Sequence, residues 1–94
     1  MVAPNNEPTI GTSSMERLED ICQVVLYNDD FNEADYVALC LQQVFGHSEP
    51  LAVKIMQEAH VNGKAIAEVE SITPARLHRD QLLSMSLTAT VEKI

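Results

Sequence analysis

The sequence predicts an α+β sandwich in which a three-stranded antiparallel sheet packs against helices that cover one face, in the order β-α-α-β-α-β. Three observations carry this. Apolar residues cluster or alternate at strand length over residues 21–27, 64–70 and 86–92, and they recur at helical spacing from Ala34 onward, from Leu51 onward and again from Pro74. The first two helical stretches are joined by only about two residues, so those helices must turn back on each other. Alternating strand positions can then bury their apolar side against the helical stripes, which gives a two-layer domain.

Each element has its own local signals. Residues 1–16, MVAPNNEPTIGTSSME, are rich in Pro, Asn, Ser and Thr without an apolar period and cannot offset the entropy of ordering. They read as a tail, either inert or gripped by something else. The expected boundaries are a flexible, disordered N-terminal extension over 1–20 and one folded domain over 21–94. ICQVVLY, residues 21–27, is aliphatic and β-branched, and Asn28-Asp29-Asp30 ends it with residues that favour turns and caps. Ala34, Val37, Ala38, Leu41 and Phe45 mark the first helix, with Glu33 and Asp35 near its start and Gly46 to stop it. Ser48 opens the second helix, followed by Glu49 and Pro50; Leu51, Ala52, Ile55, Met56 and Ala59 share a face, and Gly63 closes it. KAIAEVE alternates as a half-buried strand. Thr73 is expected to cap, and Pro74 to begin, a third helix through Leu77, Leu82 and Leu83; SLTATVE then places Leu87, Ala89 and Val91 on one face of the last strand.

Composition narrows the function classes. The chain has 94 residues, so it holds one thin core, and with two Phe, two Tyr and no Trp that core must be aliphatic. Fourteen acidic against six basic residues give a net charge of −8, which repels nucleic acid and anionic membranes and favours cationic partners. Two cysteines, Cys22 and Cys40, do not make a disulfide framework, and no signal peptide or long apolar run is evident, so an intracellular, reducing compartment is expected.

The acid at 28–30 needs an explanation. Capping accounts for one such residue, not three followed by Asn32. Asp30 and Asn32 have the first spacing of an EF-hand loop, but its later positions fall on Ala34, Asp35 and Leu41, which cannot serve. His47, His60, His78 and the cysteines show no zinc spacing, so no metal or other cofactor is expected. Cys40 with His60 is a conceivable nucleophile and base, yet Cys40 falls in an apolar helical run and reads as a small core residue, so no enzyme is expected. Cation recognition remains: an α-amino group has three donors and one charge, and Asn28, Asp29 and a neutral imidazole such as His60 could converge on it.

VVLYNDDFNEADYVALCLQQVFG, followed by AVKIMQEAHVNGKA and the closing TATVEKI, resembles the ClpS adaptor family over residues 21–94. The landmarks are the strand-NDD-helix junction, the segment carrying Ile55, Met56, His60, Gly63 and Lys64, and the last strand. The resemblance implies an adaptor that binds proteins bearing a bulky hydrophobic N-terminal residue, the N-degron, and delivers them to the N-terminal domain of a Clp AAA+ unfoldase of ClpC or ClpA type. It further implies that Asn28, Asp29 and His60 receive the α-amino group. Asn32 would replace the family's usual Thr at a contact to the degron backbone, and Ala34, Val37, Met56 and Leu87 would form the side-chain pocket. A monomer in the cytoplasm or plastid stroma is expected.

Departures from the family pattern are informative. Ala34 stands where the family usually has a Met gate, which predicts a roomier mouth that admits N-terminal Ile or Val, unless neighbouring side chains fill the space. The third-helix segment is shorter than usual, and the positions tied to unfoldase docking are Thr73 and His78. The alternative reading keeps the fold but makes the chain a non-delivering regulator that occupies the unfoldase.

Overall fold

The computed structural model describes residues 20–94, so the extension expected over 1–20 lies outside the described residues except for Asp20. Six elements follow in the predicted order: β1 (Ile21–Tyr27), α1 (Ala34–Phe45), α2 (Glu49–Asn62), β2 (Lys64–Ser71), α3 (Ile72–Ser84) and β3 (Thr88–Lys93). β1 is the central strand, antiparallel to β2 on one side and to β3 on the other. Its Cys22, Val24 and Leu26 point to the helices, as period-two alternation requires.

Alanine dominates that interface. Ala38 of α1, Ala52 and Ala59 of α2, Ala65 and Ala67 of β2, Ala75 of α3 and Ala89 of β3 are all buried in one cluster, so α2 and α3 lie close on the sheet while α1 packs on those two helices. Leu26, Leu41 and Leu82 are the largest fully buried side chains and fill the space between. Leu51, Leu77 and Leu83, placed by periodicity on helical apolar faces, are instead about half-exposed, because Ala52, Ile55 and Ala59 in α2 and Ala75 and Leu82 in α3 define the inward lines.

Both ends of α2 and the stop of α1 follow local chemistry, and the start of α3 does not. Ser48 Oγ accepts the Leu51 N–H at 3.4 Å, and Pro50 lies in the first turn. Gly46 and Gly63 take φ of +74° and +88° at the ends of α1 and α2, a region that penalises any Cβ. The exception is α3, which starts at Ile72 with Ser71 in the cap position, so Thr73 and Pro74 sit inside the first turn. β2 runs directly into the helix there, and proline is tolerated because first-turn N–H groups have no intrahelical acceptor.

A register shift between Val24 and Val25 leaves Ala67 of β2 without a partner on β1. Its carbonyl is taken up by His47 Nε2 at 2.8 Å, which must be the protonated nitrogen because a carbonyl can only accept. The His47 ring stacks on Phe45, which also makes a T-shaped contact with His78, and His78 Nδ1 lies 2.6 Å from a Glu70 carboxylate oxygen. His47 and His78 are therefore structural groups tying α1 and α3 to β2.

The end of α3 is a Schellman turn. Leu87 N–H donates to the Leu82 carbonyl and Ser86 N–H to the Leu83 carbonyl, with Ser86 at φ +72°. Leu87 consequently packs in the core with Leu82. Glycine would hold this turn without the left-handed penalty, so Ser86→Gly is expected to stabilise the fold by about 0.5–1 kcal/mol in urea unfolding.

Candidate functional site

Two chain segments meet where β1 ends. Asn28 N–H donates to the Gly63 carbonyl at 3.0 Å, which brings the exit of β1 against the end of α2 and sets His60, in the last turn of α2, beside the loop over residues 28–33. That loop is folded around one carboxylate. Asp29 Oδ1 accepts the backbone N–H of Phe31 at 3.0 Å and of Asn32 at 2.8 Å, while Oδ2 accepts from Asn32 Nδ2 at 3.2 Å. Asn32 Nδ2 also donates to the Ser86 carbonyl at 2.9 Å, joining the loop to the α3–β3 turn. Glu33 takes the cap position of α1 without a side-chain cap bond, so Asp29 shapes a loop rather than capping the helix.

Partial burial pushes the Asp29 carboxyl up, but the Asn32 backbone N–H, the Asn32 side-chain amide and the Phe31 backbone N–H together outweigh it and hold the group below the ordinary carboxylate range. An ionised carboxylate offers about four lone-pair directions. Three donors occupy Asp29, and the remaining direction is on Oδ2. Phe31 projects from the same loop at 96% exposure.

Behind the loop lies a hollow of about 260 Å³. Its apolar lining is Leu26, Ala34, Val37, Met56 and Ala59; its polar lining is Tyr27, Asn28, Asp29, Asp30, Asn32 and His60. Leu26 and Ala59 are buried and form the bottom, Val37 and Met56 are partly buried walls, and the exposed Asn28, Asp30, Ala34 and His60 stand at the mouth. Small-molecule sites typically run to about 300–1,000 Å³, so this one suits a group the size of one residue. The Asn28 side chain and the His60 ring have no hydrogen-bond partner among the described residues.

The structure thus brings Asn28, Asp29, Asn32, Ala34, Val37, Met56 and His60 to one hollow. Leu87 does not line it; at 3% exposure it belongs to the core, held there by the cap of α3. Leu26, Tyr27, Asp30 and Ala59 join the lining although sequence reasoning did not select them. Leu26 could have been found as the last inward residue before Asn28, and Ala59 as the position three beyond Met56 on α2. Thr73 is exposed in the first turn of α3, whereas His78 is engaged by Glu70 and Phe45. Cys40 is buried in the core. Among the described residues no group of three or more His, Cys, Asp or Glu is placed to hold a metal ion, and no helix is long and apolar enough to cross a membrane.

Comparison with known proteins gives this architecture a family. The family profile described as ATP-dependent Clp protease adaptor protein ClpS matches residues 17–90. An ATP-dependent Clp protease adapter protein ClpS from Synechococcus elongatus is 38% identical over 82 residues, 86% of each chain. The chloroplastic adapter CLPS1 of Arabidopsis thaliana is 36% identical over 90 residues, 95% of this chain and 57% of that one. The structure of Agrobacterium tumefaciens ClpS2 bound to L-phenylalaninamide superposes with a TM-score of 0.77 at 26% identity, covering 80% of this chain and 98% of the other. A small α+β adaptor domain with a polar-rimmed apolar hollow is the class that fold and site define. The chain belongs to the ClpS family of Clp protease adaptors.

The lowered Asp29 carboxyl has a consequence for stability. Its contribution is present above the ordinary carboxylate range and is lost as pH falls through the lowered folded value. Asp29→Ala is therefore expected to reduce unfolding stability near neutral pH, with the gap to the unsubstituted protein closing in acid; a urea-unfolding series against pH measures it.

Proposed function

We propose that the protein is an N-degron adaptor without catalytic activity of its own: it binds proteins whose first residue is bulky and hydrophobic and delivers them to a Clp AAA+ unfoldase and its protease. The observation that carries this reading is the placement of Asn28, Asp29 and His60 at the mouth of a hollow with an apolar bottom. An α-amino group has three donors, and these residues supply the open position on Asp29 Oδ2, the Asn28 amide oxygen and a neutral imidazole nitrogen. The first side chain then enters between Val37 and Met56 toward Leu26, and Asn32 lies beside the first peptide unit. The L-phenylalaninamide of the A. tumefaciens ClpS2 structure pairs a free α-amino group with a benzyl side chain, the combination this hollow suits.

The magnitudes support joint recognition. A hydrogen-bonded charge contributes about 1.5–3 kcal/mol, and burying a Leu or Phe side chain about 1.5–3 kcal/mol more. Neither alone selects a substrate; together they reject acetylated termini and small first residues, with affinity on the order of micromolar. The net charge of −8 adds a general attraction for a cationic terminus. The protein acts as a monomer, in the cytoplasm or plastid stroma, on the N-terminal domain of a ClpC- or ClpA-type unfoldase. Because His78 is engaged with Glu70 and Phe45, docking rests on other residues of α3, Thr73 among them.

Labelled peptides differing only at the first residue test the reading by fluorescence anisotropy. Leu- and Phe-started peptides should bind, and both N-acetylation and Asp29→Ala should weaken them by roughly tenfold to a hundredfold. Equal binding of Leu- and Gly-started peptides would show the reading to be wrong. Ala34 at the mouth leaves space at the β-carbon, so Ile- and Val-started peptides should also bind, and Ala34→Met should depress them more than Leu.

Removing residues 1–20 should leave peptide affinity unchanged and slow degradation of a Leu-started reporter by the unfoldase and protease. Unchanged degradation would remove the extension from delivery, and a protein that slows degradation of every reporter would be a regulator instead.

A further inference from the structure

We propose that the turn between α3 and β3 is a positioning device for the amine site: through Asn32 and Tyr36 it holds the Asp29 carboxylate where an incoming α-amino group can meet it. This rests on the amino-group reading above and assigns roles to Tyr36, Met85 and Ser86.

The last carbonyls of a helix have no intrahelical donor and must find one elsewhere. At the end of α3 the Met85 carbonyl, in the cap position, finds its donor in α1, and the carbonyl of Ser86, the next residue and already outside the helix, finds one in the binding loop. Met85 O accepts from the Tyr36 hydroxyl at 2.8 Å, and Ser86 O accepts from Asn32 Nδ2 at 2.9 Å. Ser86 presents its carbonyl this way while held at φ +72°, a conformation that a residue with a Cβ adopts at a cost. The turn is therefore fixed by its own capping bonds from Ser86 and Leu87, independently of the loop.

Asn32 links the two. Both neighbours of its amide group, Asp29 Oδ2 and Ser86 O, can only accept, so the NH₂ must face them and both of its hydrogens are used. The oxygen that offers the open lone pair is thereby anchored to a rigid turn on the far side of the loop. A threonine at this position has one hydrogen for two acceptors and could not hold both. Tyr36, in the first turn of α1, fixes the other end of the loop to the same turn. The depressed Asp29 carboxyl agrees with such an arrangement, since each donor favours the ionised form.

The test separates amine recognition from side-chain recognition. Affinity is measured by calorimetry for a Leu-started peptide and for the same peptide with the α-amino group replaced by hydrogen, and the ratio of the two constants isolates the amine. In Asn32→Ala and Tyr36→Phe this ratio should fall about three- to tenfold, with Asn32→Thr intermediate; the des-amino peptide binds Tyr36→Phe as before and, because Asn32 also lies beside the first peptide unit, weakens in Asn32→Ala by less than the Leu-started peptide does. An unchanged ratio accompanied only by a lower melting temperature overturns the proposal, as does an equal loss for both peptides. A ratio of one in the unsubstituted protein would refute the amino-group reading itself. The Asp29 titration, followed by carbon NMR, needs no ligand: the carboxyl should move up toward its ordinary value in Asn32→Ala and, by less, in Tyr36→Phe, and no movement in either overturns the positioning role. Among the described residues, Tyr27, Asp30, Glu33 and His60, Cys40 beside Tyr36, and Lys64 opposite Tyr27 are further charged or titratable groups close to the site, and the same spectra follow them.

Discussion

The carboxylate of Asp29 is the point on which the loop and the site both depend. Two backbone N–H groups and one side-chain amide converge on it, and without them the segment between β1 and α1 would have no reason to close. Hydrogen bonds to an ionised acceptor are stronger than neutral ones, so the carboxylate fixes the loop by accepting from Phe31 and Asn32. The same three bonds leave it charged and with one direction open. Scaffold and binding group are therefore one residue, and a change there disturbs loop shape and ligand charge together.

The hollow behind the loop follows from how the layers pack. Alanines at the helix–sheet interface let α2 lie close on β2 and α3 close on β1 and β3, with α1 packed on both helices, and the larger Leu26, Leu41 and Leu82 fill the centre. At the open end of β1, where the loop lifts away and α2 stops at Gly63, no such filler follows. Ala34 and Ala59 are too small to close the gap, and Val37 and Met56 bound it. Met is well suited to such a wall, because its unbranched thioether chain adapts to more than one neighbouring shape. Acidic groups stand around the mouth, where water still screens them, while the bottom is apolar, so charge and shape are read in different parts of one small cavity.

The histidines show how context separates residues that look alike in sequence. His47 spends its proton on the carbonyl of an unpaired bulge residue, and His78 pairs with Glu70 against an aromatic ring; both brace α1 and α3 against β2. His60 alone stands at the hollow, three residues before the glycine whose carbonyl receives Asn28. Burial and partner, not residue type, distinguish the three.

Element order, the limits of β1, α1, α2 and β2, the inward face of β1 and the two glycine stops were legible in the amino-acid sequence, because each rests on local spacing or on a conformation only certain residues tolerate. Seven of the eight residues read as site groups also line the hollow. What local spacing could not supply were the long-range assignments: that α3 starts at Ile72 rather than at Pro74 after a Thr73 cap, because a strand feeds straight into it, and that Leu87 is drawn inward by a helix cap, so that β3 starts at Thr88 rather than at Ser86. The bond from Asn32 to a carbonyl 54 residues away, and the hydroxyl of Tyr36 on the carbonyl before it, likewise left no mark in the local pattern. Periodicity and capping are properties of neighbours along the chain, so the sequence by itself determined the elements and the kinds of chemistry available. Which lone pairs stay open and which apolar groups leave a gap depend on partners distant in sequence, and only the tertiary structure decided those.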